Sequence, residues 1–516
     1  MKKILLILAL VFICIPYASA NDLCSGDLEK LPILSNGRVK PLQIHAKEAL
    51  KFITGKSKPL EASAAQTYCQ LSLSSLLPQD QQTHLNLKVS HEESKKLLGL
   101  DAKAKQVSPA IVAEKMRSLG SFVRNLEKTG QKKSVSDDLN QLMHRYNLYS
   151  SIKHGLDWNM PPSSTKNDAH LLEKTWPTIQ QTIKSDEKYK EPSALMSKIK
   201  ESGNHYATLN SGYLTELTYD KLHLFHWAML LTILAIAAAF GFRKEKHPVT
   251  MFLVGLVFTF EITAAIFRMI IGGRAPVTNM YETVMCVGIG GLLFAFILAL
   301  YRKERLYLIM GLIINLIALF MMNFATSMFD ATIKPLMPVL RDNFWLATHV
   351  TSITISYAAL ALSWFVAIYF MVKSYFKKVD NAELRKLNTF AYDCIKIGVV
   401  LLASGIILGA VWADYSWGRF WGWDPKETWS LIALLAYMIV LHGRYAGWIT
   451  TRTFMPITGL AFNSILMAWF GVNYILATGL HSYGFSSGGA FFLAVVVLIQ
   501  AVIFAVFFVK TRFFSR

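Results

Sequence analysis

The chain has 516 residues, of which 53% are hydrophobic, and it carries a formal net charge of +19. A composition this apolar favours a polytopic membrane protein. The positive charge would suit a nucleic-acid-binding protein, but basic loops on one side of a membrane explain it better, as the loop charges below indicate. The five cysteines include no C-x-x-C pair, which excludes a C-x-x-C-H haem attachment site and therefore a c-type cytochrome.

Residues 1–20 have the pattern of a secretory signal peptide. Two lysines near the start are followed by an apolar core and by an A-S-A cleavage site at residues 18–20. The pattern predicts that the next segment is exported to the outer, periplasmic side of the membrane. The alternative is an uncleaved signal anchor.

Residues 21–221 are predicted to form a soluble, mainly helical exported domain. The segment is polar and Lys-rich, and stretches such as 44–52 and 110–126 have the apolar period of helices. Its opening, residues 31–42, is extended and turn-like in character. At roughly 200 residues the domain is large enough for a core of its own.

The polar side chains of this domain form no catalytic constellation in the sequence. Its histidines have no metal-ligand spacing and are interpreted as surface residues: His45, His84, His91, His144, His154, His170 and His205. Cys24 and Cys69 share the exported domain, where a disulfide between them is possible. Cys286 and Cys394 fall in apolar runs and are interpreted as small core residues.

From residue 222 onward the chain consists of apolar segments, each near the roughly 20 residues that a bilayer requires. Nine segments are predicted to span the membrane, at residues 222–241, 250–271, 281–301, 305–323, 344–373, 389–412, 428–447, 453–476 and 488–510. The sequence therefore predicts an all-α polytopic membrane protein with about nine transmembrane helices, preceded by the exported helical domain.

The charges of the loops predict the orientation of these spans. If the exported domain lies outside, the inner loops carry sixteen Lys and Arg residues and the outer loops carry five. The outer five are Arg274, Lys334, Arg341, Arg419 and Lys426. By the positive-inside rule, the chain lies in the inner (cytoplasmic) membrane with its N-terminal domain outside and its C-terminus in the cytoplasm. Topology thus explains the basic excess without nucleic acid.

Residues 412–429, which we call the Trp-rich segment, read W-A-D-Y-S-W-G-R-F-W-G-W-D-P-K-E-T-W. Five of the chain's 12 tryptophans lie here: Trp412, Trp417, Trp421, Trp423 and Trp429. Two glycines and the Asp424-Pro425 step argue against a continuous helix. The segment is predicted to form an aromatic platform for a flat, amphipathic, anionic ligand, the alternative being an ordinary interfacial belt. Asp424 before Pro425 is typical of a helix N-cap, so Asp424 and Glu427 either brace the loop or act in proton transfer.

Two histidines lie on the same predicted outer side as the Trp-rich segment. His349 is near the outer end of the fifth span, and His481 is in the outer loop after the eighth. Two neutral imidazoles that face each other across a planar ligand form a bis-histidine site for haem iron. Arg419, Lys426 or Arg274 would meet the propionates of such a haem. The alternative is that the two histidines are ordinary interfacial residues.

Further ionisable residues lie at membrane depth. His442, near the inner end of the seventh span, is a functional candidate because such residues are rare in membrane helices. His226, near the outer end of the first span, is a weaker one. Glu261 and Arg268 are seven residues apart on one face of the second span. They either form a structural polar contact or line a pathway.

The run W-G-R-F-W-G-W-D-P-K-E-T-W resembles the signature of the WWD proteins, which handle haem in cytochrome c maturation. Its D-P-K-E-T-W ending is similar to the CcsA branch, the system II haem lyases, whereas the CcmC and CcmF branches diverge after the Asp. The stretch P-V-T-N-M-Y-E-T at 276–283 resembles the family's P-x-x-N-x-Y-E segment. His349 and His481 match the family's two external haem-ligating histidines, and His442 matches its intramembrane histidine. The resemblance covers about residues 222–516.

This resemblance implies a holocytochrome c synthase, or haem lyase. Haem b with ferrous iron would enter near His442 and move to the outer station between His349 and His481. There it would be held for thioether attachment to the C-x-x-C-H motif of apocytochrome c. The family usually needs a ResB-like partner, which supplies a second intramembrane histidine, and thiol-reducing proteins that feed the pathway. No clear ResB half is visible in this sequence.

Two other functions stay open at this point. The first is a haem exporter or chaperone that presents haem without attaching it. The second is a membrane subunit of a respiratory complex with haem b, which predicts histidine pairs at matched depths in the membrane. His442 has no such partner in the sequence, which counts against the second function.

Overall fold

A computed structural model describes residues 24, 27–35, 37–74, 82–129, 133–158, 197, 199–201, 206–207, 211–242, 247–325, 328–336, 342–377, 379–476 and 489–514. The chain divides into two compact units, Met1–Lys221 and Leu222–Arg516. The predicted signal peptide and His481 lie outside the described residues.

The described part of the first unit is mainly helical, with one β-hairpin and a second two-stranded antiparallel sheet. Its described elements are β1 Pro32–Ser35, β2 Arg38–Pro41, α1 Leu42–Thr54, α2 Ala64–Leu73, β3 Leu87–Lys88, α3 Glu92–Leu98, β4 Gln106–Val107, α4 Pro109–Thr129, α5 Lys133–Lys153 and α6 Thr215–Leu222. β1 pairs with β2 and β3 with β4. The predicted helical stretches fall inside α1 and α4, and the extended opening forms the first hairpin, so these predictions are confirmed.

Local sequence signals explain where the helices of this unit begin and end. Ser63 and Gln66 form a capping box at the start of α2, which satisfies two backbone N–H groups that would otherwise lack partners. Gly55 and Gly99 end α1 and α3 in the left-handed conformation, with φ of +84° and +73°. Glycine adopts this conformation at little cost because it has no Cβ.

The core of the first unit contains a polar cluster that the sequence did not predict. His45 is only 7% exposed, so its interpretation as a surface residue was wrong. Its Nε2 lies 2.9 Å from Asp157 Oδ2, and the Tyr68 hydroxyl donates to the same oxygen at 2.8 Å. The carboxylate gives a buried imidazole the partner that it needs. Burial, together with the nearby Asp157 carboxylate, raises the pKa of Tyr68 well above its ordinary value.

Covalent and ionic links fasten the first unit. Cys24 and Cys69, both buried, form a disulfide that ties the N-terminal end to α2. Helix α6 is held by ion pairs at a distance in sequence. Arg38 donates two hydrogen bonds of 2.6 and 2.9 Å to Glu216.

The second unit contains nine helices among its described residues. They are α7 Leu224–Gly241, α8 Pro248–Gly272, α9 Met280–Arg302, α10 Arg305–Phe324, α11 Asn343–Phe376, α12 Asn381–Trp417, α13 Pro425–Tyr445, α14 Phe454–Leu476 and α15 Gly489–Phe514. Two of them change pitch: α11 has a π-helical turn at Leu346–Val350, and α14 is π-helical over Met467–Leu476. Cys394 is buried, as predicted, and Cys286 is partly buried.

Eight helices of the described chain are long and apolar enough to cross a membrane, the first of them within the run Gly212–Gly241. The chain is therefore a multi-pass membrane protein. The remaining predicted span, the seventh at residues 428–447, falls within α13, which is not one of the eight because polar residues occupy both of its ends. With 21 residues, α13 is about 31 Å long, and it packs against α12 and α14.

Helix α11 is the central helix of the second unit. It packs against α9, α12, α14 and α15. Its most apolar stretch is 67% buried, compared with 17% for α15 at the periphery. The site described next lies at the N-terminal end of α11, where α9 and α13 also begin.

Candidate functional site

A cavity opens where the starts of α9, α11 and α13 meet the end of α12 and the π-helical part of α14. It contains about 1200 Å³ of space outside protein atoms, including its open mouth. The lining residues are Val277, Thr278, Asn279, Met280, Thr283, Leu346, His349, Val350, Ile353, Thr354, Tyr357, Ile406, Gly409, Ala410, Trp412, Trp421, Lys426, Glu427, Ser430, Trp469 and Asn473. The wall is mostly apolar and aromatic with a few polar groups, which is the usual make-up of a small-molecule or cofactor site.

His349 is the histidine that lines this cavity. It lies in the π-helical turn of α11, and such turns occur often at functional sites because they change which side chains face a cavity. Its Nδ1 is 2.7 Å from the carbonyl oxygen of Gly405 on α12. A carbonyl oxygen only accepts, so Nδ1 carries the proton. The neutral ring then has its lone pair on Nε2, the atom that would bind a metal.

Aromatic rings form much of the remaining wall. Trp412 lies edge-on to His349, with ring centroids 5.9 Å apart. Trp421 lines the cavity from the loop that follows α12. Tyr357 and Trp469 pack together with centroids 5.6 Å apart. Flat surfaces of this kind suit a flat, largely apolar ligand.

The Trp-rich segment is not one helix, as predicted. Gly418 ends α12 with a φ of +67°, and α13 begins at Pro425. Asp424 accepts from the Lys426 backbone N–H, so its prediction as an N-cap is confirmed. Trp423 has a φ of +57°, a strained value for a bulky residue.

Glu427 fixes the loop that precedes α13. Its carboxylate accepts from the backbone N–H groups of Gly422, at 2.8 Å, and of Asp424, at 3.2 Å. It also accepts from Arg419 Nη1 at 3.2 Å. Of the two roles left open for Glu427, these contacts support bracing of the loop.

Of the three basic residues that were predicted to bind haem propionates, only Lys426 lines the cavity. Lys426 lines the cavity and donates from Nζ to Asn473 Oδ1 at 3.1 Å. Arg419 faces Glu427, and Arg274 donates to the backbone carbonyls of Gly272 in its own loop and of Lys334 in the loop after α10. Four residues that were predicted to contact the haem lie in or beside the loop between α12 and α13 but do not line the cavity: Trp417, Trp423, Asp424 and Trp429.

The start of α9 forms another wall of the cavity, and a side-chain cap and a glutamate hold it as they hold the start of α13. Asn279 caps α9 by accepting from the Glu282 N–H at 2.9 Å. Glu282 Oε2 accepts from the N–H of Thr278 at 2.8 Å, and Oε1 accepts from Arg268 Nη2 at 2.8 Å. The Asn and Glu of the N-M-Y-E stretch are thus the cap and the brace of a cavity wall.

Glu261 and Arg268 each have another residue as partner. Arg268 is paired with Glu282, whereas Glu261 accepts from Asn315 Nδ2 at 2.8 Å. Both side chains are almost fully buried. For Arg268, the structure supports the structural alternative of the two that the sequence left open.

The other predicted histidines are not in the described cavity wall. His442 lies on an exposed face of α13, and its Nδ1 is 2.8 Å from the Met438 carbonyl, so its lone pair is on Nε2. His226 is near His223, with ring centroids 5.6 Å apart. His481, as noted, lies outside the described residues. Among the described residues, no group of three or more His, Cys, Asp or Glu side chains gathers to hold a metal ion.

Sequence reasoning missed several residues of the cavity wall. Tyr357, Trp469 and Asn473 lie in spans whose positions were predicted correctly, but no spacing marks them as neighbours. Of these three, only Asn473 could have been noticed in the sequence, because a polar amide inside a membrane span is costly unless it has hydrogen-bond partners. Its side chain bonds Lys426 and the Trp469 carbonyl.

Known proteins were compared with this chain. The family described as cytochrome C assembly protein matches residues 277–481, which include every lining residue of the cavity. The cytochrome c biogenesis protein CcsA of Guillardia theta is 34% identical over 287 residues, covering 50% of this chain and 93% of that protein. The protein of the same name from Prochlorococcus marinus strain MIT 9515 is 30% identical over 315 residues, covering 54% and 98%. Protein NrfI of Wolinella succinogenes is 32% identical over 297 residues, 54% of this chain but only 32% of NrfI.

Proposed function

Because this chain belongs to the CcsA-type family of cytochrome c biogenesis proteins, with a role in cytochrome c maturation, we propose that its cavity holds haem for attachment to apocytochrome c. The observation that carries the proposal is His349. Its imidazole lines an aromatic cavity, and a hydrogen bond on Nδ1 leaves the lone pair on Nε2. This is the arrangement that protein ligands of haem iron require.

The rest of the cavity fits haem as a cargo. Trp412 and Trp421 offer flat surfaces for the porphyrin, and the Lys426 ammonium offers a charge for a propionate. In this proposal, His481 supplies the second axial ligand from the outer loop.

The chemistry that the cavity would support is thioether formation. Each thiol of a C-x-x-C-H motif adds across one haem vinyl group, so that a carbon–sulfur bond forms and the thiol hydrogen goes to the other vinyl carbon. The addition involves no net oxidation. The reactive groups belong to haem and peptide, and the protein contributes their orientation. The cavity is partly open, and a polypeptide would reach the bound haem through this opening.

The proposal also includes a route and partners. We propose that the chain lies in the inner membrane with the cavity on the periplasmic side, in accord with the positive-inside rule. Ferrous haem b would arrive through an inner station at His442, whose exposed position on α13 leaves room for a ligand from a ResB-like partner. Apocytochrome c would arrive from outside, reduced by thiol-reducing proteins.

The first test is the haem content and visible spectrum of the detergent-purified protein. The wild type is expected to carry low-spin haem, and His349→Ala is expected to lose most of it or become high-spin. His247→Ala is the matched control, since His247 lies in the membrane unit outside the cavity wall. A haem-free wild type, or a spectrum unchanged by His349→Ala, would overturn the site.

Attachment is tested separately from binding. Co-expression with a reporter apocytochrome c should give holocytochrome with the wild type and much less with His349→Ala. If haem binds but no thioether forms even with a ResB-like partner present, the chain is a haem exporter or chaperone instead.

A further inference from the structure

We propose that Gly405 and Gly409 of α12 are positioning residues for His349: the first supplies the carbonyl that fixes the imidazole, and the second supplies the space that the ring occupies. The inference rests on the proposed function, because it concerns the residue that would bind haem iron. It adds two residues of α12 that lie before the Trp-rich segment.

Three glycines of α12 form a stripe that faces α11, and each receives one side chain from that helix. A Cβ built on Gly398 would lie 2.5 Å from Leu360 Cδ2, and one on Gly405 would lie 2.6 Å from Ile353 Cδ1. A Cβ built on Gly409 would lie 2.4 Å from His349 Cε1 and 2.8 Å from its Nδ1. The imidazole therefore occupies the position that any side chain at 409 would need.

The slot at Gly409 places the ring against the backbone of α12. From there Nδ1 reaches the Gly405 carbonyl, one helical turn away, at 2.7 Å. This hydrogen bond fixes the ring rotation as well as the tautomer, and it makes Nε2 a stronger donor to a metal. His349 lies in the π-helical turn of α11, which places its ring beside Gly405 and Gly409 of α12. Three local features, the slot at Gly409, the Gly405 carbonyl and the π-helical turn, thus converge on the orientation of one imidazole.

A plain packing role for the stripe is the competing explanation. Small residues spaced four apart, as in G-I-I-L-G at 405–409, commonly let membrane helices approach each other. That role accounts for Gly398, which faces only an aliphatic side chain. It does not require a histidine ring to fill the third position. The two explanations predict different couplings between Gly409 and His349.

The first experiment is a double-mutant cycle on the ligand-free, detergent-purified full chain, read as the shift in thermal unfolding. Gly409→Ala should lower the midpoint in the wild-type background, where the new methyl group meets the ring. It should have little effect in the His349→Ala background, where the ring is gone. The matched control Gly398→Ala should lower the midpoint equally in both backgrounds. An effect of Gly409→Ala that is equal in both backgrounds would overturn the positioning role.

The second experiment measures haem bound to the same variants. Gly409→Ala should weaken haem retention about 10–100-fold or convert low-spin haem to high-spin, because the ligand is displaced. Added imidazole should restore the low-spin spectrum. Gly398→Ala should keep it without addition. A wild-type spectrum in Gly409→Ala would refute the positioning role, whereas a wild type without haem would refute the proposed function and leave the stability cycle unaffected.

Discussion

Removing the carboxylate of Glu282 should strongly destabilise the membrane unit. Arg268 and Glu282 are each 2% exposed. One carboxylate oxygen accepts from the guanidinium at 3.2 and 2.8 Å, and the other accepts from the N–H and hydroxyl of Thr278 at 2.8 and 2.7 Å. Glu282→Ala would leave a buried guanidinium without its counter-charge, and such a loss costs about 3–5 kcal/mol.

An exposed ion pair in a neighbouring loop provides the control for this variant. Lys334 and Asp330 lie 2.7 Å apart, but their side chains are 65% and 42% exposed. Lys334→Ala should therefore cost about 0–1 kcal/mol. The difference between the two variants depends on burial, because both remove one partner of an ion pair.

The assay is chemical or thermal unfolding of the purified full chain, with haem retention measured on the same samples. Haem retention should also fall in Glu282→Ala, since Thr278, Asn279 and Met280 line the cavity. The double variant Arg268→Met with Glu282→Gln should be less destabilised than Glu282→Ala, because no charge is left buried. If Glu282→Ala is no less stable than Lys334→Ala, the reasoning is refuted.

Three further predictions concern other parts of the chain. Trp421→Ala should lower haem content because its ring lines the cavity, whereas Trp423→Ala, at a side chain 68% exposed, should keep most of it. Cys69→Ser should lower the unfolding free energy of the first unit by about 4 kcal/mol, since its bond to Cys24 spans 45 residues. Burial raises the pKa of Tyr68 in the folded protein above its ordinary value of about 10. Above about pH 10, unfolding therefore releases the proton of the hydroxyl, and the free energy of unfolding should fall as the pH rises. The fall should be smaller in Tyr68→Phe, which has no hydroxyl.

Each of these has a clear contrary result. Equal haem loss from the two tryptophan variants would contradict their different places in the wall. A melting curve of the first unit that is insensitive to reductant would count against the disulfide. Equal alkaline destabilisation of wild type and Tyr68→Phe would show that another group governs that pH range.

The spans and the loop could be predicted because their signals are local. Apolar length marks a membrane helix, and the Asp424-Pro425 step marks a helix start. The carbonyl partner of His349 could not be predicted, since nothing near Gly405 in the sequence refers to a residue 56 positions earlier. His45 shows the same limit, because its partner Asp157 lies 112 residues away. Partners at such distances depend on packing, which a linear pattern does not record.

The aromatic pattern was also only partly informative. Five tryptophans in the Trp-rich segment look equivalent in the sequence, yet only Trp412 and Trp421 line the cavity. The left-handed conformation at Trp423 and the glycine at 418 turn the chain so that neighbouring rings face different directions. Composition identified the platform, and backbone conformation decides which rings belong to it.

The cavity has a consequence for biogenesis. Its lining residues extend from Val277 on the loop before α9 to Asn473 near the end of α14. Chains are synthesised and inserted from the N-terminus, so α9 is in place long before Trp469 and Asn473 leave the ribosome. A nascent or truncated chain therefore presents an incomplete cavity. In the proposed function, a growing chain would therefore retain haem only after the π-helical part of α14 has been inserted.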